Sequence, residues 1–108
     1  MKANELMIGD WVAQPVNDEP CKVVSLMSDI ELDDGGFYEE VEPIPLTTEI
    51  LEKNFPTIED GVAWEETEEG DLFFIRVEYD KHIKGIFNDV HELQHALRLA
   101  GIDKEINL

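Results

Sequence analysis

Two prolines near the middle of the chain, Pro43 and Pro45, limit its fold more than any other feature. Proline has no backbone N–H to donate to a β-ladder, so a central strand cannot pass through this stretch. Thr47 follows, and its hydroxyl can accept a free backbone N–H in the first turn of a helix. We therefore expect an extended arm that leads into a short helix at residues 47–55, with Asn54 in the left-handed conformation near the helix end.

Before the prolines, short apolar runs alternate with turn residues. Because each run is rich in β-branched or aromatic side chains, strands are predicted at residues 11–13, 22–27, 30–32 and 37–41. Residues 33–36 read Asp-Asp-Gly-Gly, which can adopt the positive φ angles of a tight hairpin turn. This pattern predicts a small antiparallel, barrel-like sheet of the SH3-like type at residues 1–46.

After the helix, the pattern predicts a β-hairpin and a returning strand. The strands are expected at residues 62–65, 72–79 and 82–87, with turns at residues 67–71 and 80–81. Side chains alternate along a strand, so one face of the longest strand should carry Phe73, Ile75, Val77 and Tyr79. The other face should carry Phe74, Arg76 and Glu78. Because Phe73 and Phe74 point to opposite faces, one of these two aromatic rings is a candidate for contact with a partner.

The last element is predicted to be a helix over residues 90–100. Asp89 at its start and Glu92 three residues later match a capping box, in which each side chain accepts a hydrogen bond from the backbone N–H of the other residue. Gly101 is the expected stop, followed by Ile102 in a Schellman motif. One helix face is apolar and should cover a sheet: Val90, Leu93, Ala96, Leu97 and Ala100.

Together these elements predict one α+β domain over residues 1–108. Its parts are a barrel-like β part at 1–46, a short helix at 47–55, and a hairpin plus a C-terminal helix packed on the sheet at 56–108. A chain of 108 residues can bury enough surface for a core without disulfides. The single cysteine, Cys21, is expected to be a buried small hydrophobe.

The formal net charge is −18, from 26 acidic and eight basic residues. This charge opposes direct binding to nucleic-acid phosphates or to an anionic membrane surface. No apolar run is long enough to span a membrane or to serve as a signal peptide after Lys2, so we expect a cytoplasmic protein. Residues 76–108 carry a net charge of only −1, so this third is the expected site for an acidic partner or for a second copy in a homodimer.

The sequence His91-Glu92-Leu93-Gln94-His95 matches the H-E-x-x-H motif on a predicted helix. Histidines at i and i+4 can bind one Zn²⁺, and the glutamate can activate a bound water. One alternative function is therefore a zinc-dependent hydrolase, with His91 and His95 as ligands and Glu92 as the catalytic base. His82 or an upstream acid would have to supply the third ligand.

Other features of the sequence argue against this site. His91, His95 and Arg98 project roughly opposite the apolar face, which indicates a solvated helix surface. The positive charge of Arg98 disfavours a dication beside it. We therefore predict no catalytic residue, no metal site and no cofactor, and keep zinc, with Glu92 as base and with the ligands His91, His95 and His82, as the alternative.

Three stretches resemble a known family: residues 4–12 (NELMIGDWV), residues 37–51 (FYEEVEPIPLTTEIL) and residues 90–97 (VHELQHAL). The family consists of short uncharacterised proteins from Bacteroides-type gut bacteria and their phages or mobile elements. The resemblance implies no activity. The family ending reads V-H-x-L-Q-N, which implies that Glu92 and His95 are incidental. It also implies that His91, Leu93 and Gln94 pack and hydrogen-bond at the helix edge.

The sequence does not specify a reaction. We interpret the chain as a non-catalytic, acidic binding or accessory protein of bacterial or phage mobile-element origin, which acts on an unknown protein partner through protein–protein contacts. This hypothesis rests on the net charge of −18 and on the lack of any other catalytic motif. A second alternative is an acidic DNA mimic, whose carboxylates would occupy the site of a nucleic-acid-binding protein.

Overall fold

The computed structural model describes residues 1–56, 61–68, 72–78, 82–102 and 104–108, except for the side chains of Glu78 and His82. The chain forms two compact units, an N-terminal unit, Met1–Ile44, and a C-terminal unit, Pro45–Leu108. The described residues form antiparallel strands and two α-helices, so the predicted α+β class is confirmed. The prediction of one domain over residues 1–108 stays a prediction.

The N-terminal unit is an antiparallel sheet that follows a 3₁₀ turn at Ala3–Glu5. Its strands are β1 Trp11–Ala13, β2 Pro20–Leu26, β3 Ile30–Leu32, β4 Phe37–Tyr38 and β5 Glu42–Pro43, in the spatial order β4-β3-β2-β1-β5. The described strands form an open sheet and not a closed barrel, because β4 and β5 are its two edges and do not pair with each other. The SH3-like detail is not confirmed. Pro43 lies on an edge strand, where its missing N–H is tolerated.

Alternating side chains build the core of the N-terminal unit. Cys21 and Val23 of β2 and Ile30 and Leu32 of β3 point inward at every second position, and a register shift between Val23 and Ser25 then turns Leu26 toward the core. The buried cluster consists of Leu6, Val12, Cys21, Val23, Ile30, Leu32 and Val41. Gly35 has a φ of 86° in the β3–β4 turn, a conformation that favours glycine. The turn predicted at residues 33–36 is therefore present.

The C-terminal unit opens with the helix α1, Thr48–Asn54, which follows the two prolines as expected. Thr47 caps it, because its Oγ1 accepts a hydrogen bond from the N–H of Ile50 at 3.2 Å. The prediction of a left-handed Asn54 is wrong. Asn54 is helical, and among the described residues Asp18 is the one non-glycine residue with a positive φ.

A three-stranded sheet forms the middle of the C-terminal unit. Its strands are β6 Val62–Glu66, β7 Phe73–Glu78 and β8 His82–Phe87, with β7 in the centre. Alternation in β7 is as predicted, since Phe73, Ile75 and Val77 are buried whereas Phe74 and Arg76 are exposed. The turn predicted at residues 80–81, most of that at 67–71, and Tyr79 lie outside the described residues.

The helix α2, Val90–Leu99, contacts β8. It begins with the predicted capping box between Asp89 and Glu92. It ends in the predicted Schellman motif, in which the N–H of Ile102 donates to the carbonyl of Leu97 at 2.9 Å and Gly101 has a φ of 81°. Its buried face consists of Val90, Leu93, Gln94, Ala96 and Leu97. In the described part of the chain, no helix is long and apolar enough to cross a membrane.

The segment of residues 104–108 lies against α1. The side-chain amide of Asn54 exchanges two hydrogen bonds with the backbone of Asn107. Ile106 is 1% exposed, and the ammonium of Lys104 lies 4.9 Å from the ring centroid of Phe55. This segment is therefore an integral part of the C-terminal unit, although it has no regular secondary structure.

Candidate functional site

The outer face of the C-terminal sheet carries exposed apolar and basic side chains. Directly paired residues of neighbouring strands share a face, so the register sorts them into two rows. One row consists of Ala63, Arg76 and Lys84, and the next consists of Glu65, Phe74 and Ile86. Phe74 is 37% exposed and Ile86 is 59% exposed. We call these six residues the outer sheet face.

A shallow groove of about 170 Å³ lies on the outer sheet face. It is lined by Ala63, Trp64, Glu65, Phe74 and Arg76. The indole N–H of Trp64 donates to the carbonyl of Phe55 at 3.0 Å, and its ring lies edge-to-face with Phe73 at 6.3 Å between centroids. These contacts hold the Trp64 side chain on the face of Phe73, opposite the groove, because Trp64 lies between Ala63 and Glu65 along β6.

Arg76 and Lys84 are direct cross-strand partners on the outer sheet face. Like charges directly opposite each other destabilise an antiparallel pair. The chain has 26 acidic residues and only eight basic ones, yet two of the basic residues occupy this pair. The result is a basic spot beside Phe74 and Ile86 on an otherwise strongly acidic chain.

The two histidines of the H-E-x-x-H motif meet on α2. The ring centroids of His91 and His95 are 5.7 Å apart, and the rings are inclined by 81°. The Nδ1 atom of His91 is buried and has no hydrogen-bond partner among the residues that the structure describes. Both histidines are half-buried, whereas Arg98 is exposed. The face that was predicted to be solvated is therefore partly covered.

Glu92 is engaged at the N-terminus of α2. Its Oε1 accepts hydrogen bonds from the backbone N–H groups of Asp89 at 3.1 Å and Asn88 at 3.4 Å. The side-chain amide of Asn88 also lies against the carboxylates of Asp89 and Glu92. Burial, and then the charge of Glu92, raise the pKa of Asp89 above its ordinary value. These contacts commit the Glu92 carboxylate to capping the helix.

The structure brings together two of the three alternative zinc ligands, His91 and His95. The side chain of His82 lies outside the described residues. Within those residues, no group of three or more His, Cys, Asp or Glu side chains could hold a metal ion. The zinc-dependent hydrolase with Glu92 as its base therefore stays an untested alternative.

Cys21 lies in the core of the N-terminal unit and is 5% exposed, as expected for a small hydrophobe. Burial, followed by the charges of Asp34 and Asp33, raises the pKa of its thiol to about 11. Because the thiolate is the nucleophile, this cysteine is a poor candidate for chemistry.

Two features of the surface were missed from the sequence. Alternation placed Phe73 and Phe74 on opposite faces without deciding which ring is exposed, and the neighbours Ile86 and Lys84 depend on the β7–β8 register, which no short-range pattern encodes. The N-terminal unit also has a groove, lined by Ser25, Met27, Ser28, Asp29, Glu31 and Phe37. The one sequence signal for this groove is Met27, an apolar residue at a turn.

No family model, curated protein or solved structure matches this chain. Its function is therefore argued from the residues and their geometry.

Proposed function

We propose that this chain is a non-catalytic binding protein that acts through protein–protein contacts, and that the outer sheet face is its contact surface. The observation that supports this proposal is the direct cross-strand pairing of Phe74 with Ile86 on an exposed face. An antiparallel sheet that is covered on one face normally carries polar side chains on the other. Two adjacent large apolar side chains there favour contact with a partner.

A second copy of the chain is the occupant that the charges favour. The outer sheet face carries both signs, with Glu65 beside the pair Arg76 and Lys84. A face-to-face homodimer could therefore match the acid of one copy with the bases of the other. The net charge of −18 on the chain as a whole, by contrast, opposes self-association. The less acidic C-terminal third supplies Arg76, Lys84 and Ile86 of the outer sheet face, and the preceding residues supply the other three.

The cellular setting belongs to the same proposal. The resemblance to short proteins of gut bacteria and their phages or mobile elements supports an accessory role, and we propose that this role is carried out in the cytoplasm. The zinc-dependent hydrolase and the DNA mimic stay alternatives. No arrangement of the described residues favours either one.

Sedimentation velocity tests the contact surface directly. The wild-type chain is compared with the double variant Phe74→Thr/Ile86→Thr, which keeps β-forming residues in both strands. Val16→Thr is the matched control, since Val16 is 83% exposed but lies in the N-terminal unit. We expect a reversible dimer in the wild type and in Val16→Thr, and a monomer in the double variant.

The dependence of dimerisation on salt concentration provides a second, independent test. Raising sodium chloride from about 0.1 M to about 1 M shortens the Debye length from about 10 Å to about 3 Å. Screening of the −18 charge should then strengthen the homodimer, as it would strengthen binding to another acidic protein, whereas it would weaken binding to a basic partner. A monomeric wild type whose co-purifying proteins are unchanged in the double variant would contradict the proposed surface. If the wild type is a monomer and the double variant no longer binds a partner that the wild type binds, the outer sheet face remains the contact surface. Its occupant is then that partner and not a second copy.

A further inference from the structure

The N-terminal unit has a groove of about 200 Å³ on the outer side of β2, β3 and β4. Ser25, Glu31 and Phe37 are cross-strand partners, so their side chains share this face. Met27, Ser28 and Asp29 form the β2–β3 turn at its end, where the N–H of Met27 donates to the carbonyl of Asp29 at 3.1 Å. Pockets for drug-sized ligands measure about 300–1,000 Å³, so this groove fits a single side chain.

The apolar part of the groove is not needed by the core. Met27 is 83% exposed and Phe37 is 66% exposed. The buried side chains of β3 are Ile30 and Leu32, which point to the opposite side of the sheet. An aromatic ring and a thioether are therefore presented to solvent in one small groove.

The polar part of the groove is acidic. Asp29 and Glu31 line it, and neither basic residue of the N-terminal unit does. Of those two residues, Lys2 lies 3.9 Å from a carboxylate oxygen of Glu40, and the Lys22 ammonium lies 5.0 Å from the centroid of a tryptophan ring. The groove thus combines carboxylates with apolar surface, which is the complement of a side chain with a cationic head and an apolar stem.

We propose that this groove binds an arginine side chain that an extended segment of a partner protein presents. The planar guanidinium can stack on the Phe37 ring and donate to the carboxylate of Glu31 or Asp29. Its methylene groups can cover the exposed Met27 side chain. Arginine suits this combination better than lysine, because a compact, strongly hydrated ammonium neither stacks nor donates in parallel pairs. The site is separate from the outer sheet face and does not rest on the homodimer.

Nuclear magnetic resonance titration of the ¹⁵N-labelled chain can test this assignment. The probe is the peptide acetyl-Gly-Ser-Arg-Ser-Gly-amide, and the comparison peptides carry lysine or glutamate in place of arginine. We expect saturable shifts confined to residues 25–31 and 37, weaker binding of the lysine peptide, and none of the glutamate peptide. Phe37→Thr should weaken binding of the arginine peptide by about fivefold, which is the effect expected from the loss of one cation–π contact.

Two matched variants separate a built site from general attraction to an acidic chain. Glu31→Gln should weaken binding of the arginine peptide by about fivefold. Glu5→Gln removes the same charge from the 3₁₀ turn of the same unit and should leave the affinity within about twofold of the wild-type value. Val16→Thr is the corresponding control for Phe37→Thr. Shifts spread over the acidic surface, equal losses in Glu31→Gln and Glu5→Gln, or no saturable shift would each overturn the proposal. The spectrum of each variant verifies its fold, so a loss by unfolding is recognised.

Discussion

The side-chain amide of Asn54 pairs with both backbone groups of Asn107, 53 residues later in the chain. Its Nδ2 donates to the Asn107 carbonyl and its Oδ1 accepts from the Asn107 N–H, each at 2.7 Å. The same Nδ2 donates to the carbonyl of Ile50 at 2.8 Å. Asn54 is 3% exposed, so its side-chain amide is buried. This amide pairs with the backbone of the terminal segment in the way that a neighbouring β-strand would. The ammonium of Lys53 adds a hydrogen bond to the Leu108 carbonyl at 2.7 Å.

Asn54→Ala should destabilise the C-terminal unit by about 2 kcal/mol, because the backbone N–H and C=O of Asn107 lose their partners. Urea unfolding measures this change through Trp64 fluorescence in a Trp11→Phe background. Each unit contains one of the two tryptophans, so each can be followed by itself. Asn107→Ala is the matched control, since Asn107 has an exposed side chain and keeps its backbone groups. Equal losses in Asn54→Ala and Asn107→Ala would contradict the pairing.

Asp34 should make the N-terminal unit less stable in acid. Its Oδ1 accepts from the N–H of Gly36 at 2.8 Å and its Oδ2 from the hydroxyl of Tyr38 at 3.0 Å. These hydrogen bonds lower the pKa of Asp34 below its ordinary value of 3.8, and the bond from the Gly36 N–H has the largest effect. A lowered carboxyl pKa contributes stability that is present above the unfolded pKa and is lost as pH falls through the folded one.

The stability difference between wild type and Asp34→Asn should therefore be constant above about pH 5 and should shrink as pH falls further. Trp11 fluorescence in a Trp64→Phe background reports it at each pH. Asp18→Asn, at another exposed acid of the same unit, is the matched control for the loss of one charge. A difference that grows in acid would reverse the assigned direction.

Glu92 should behave as a helix cap. Glu92→Ala should destabilise the C-terminal unit by about 1 kcal/mol, whereas Glu92→Gln should cost less because the glutamine oxygen still accepts backbone N–H groups. Urea unfolding followed by Trp64 fluorescence gives both values.

Elemental analysis addresses the metal alternative for the same motif. We expect chain purified without added metal to hold zinc well below one equivalent, with no further loss in His95→Ala. One equivalent of zinc that disappears in His95→Ala would instead support the hydrolase with His91, His95 and Glu92.

Cys21 should resist thiol reagents in the folded chain. A rise of its thiol pKa from 9.0 to about 11 lowers the thiolate fraction near neutral pH by about a hundredfold. Reaction with a disulfide reagent at about pH 8 should therefore be slow in the native chain and should reach one equivalent in urea. Rapid stoichiometric labelling without urea would show that the N-terminal core opens readily.

Local signals made much of this fold predictable. The Thr47 cap, the capping box of Asp89 and Glu92, and the stop at Gly101 each depend on groups only a few residues apart. Alternation in β7 likewise follows from the backbone of a single strand. The α+β class was therefore correct. Expectations that needed distant information were less successful, as the open N-terminal sheet shows.

Asn54 marks the division between the two kinds of information. Its position at the end of a helix suggested a left-handed residue, but its role depends on Asn107, which no local pattern connects to it. The sequence by itself determined the helix caps and the apolar faces of β7 and α2, because these follow from short-range hydrogen bonding and periodicity. Only the tertiary structure decided that Phe74 lies beside Ile86, and Phe37 beside Glu31, because strand register sets which distant residues become neighbours.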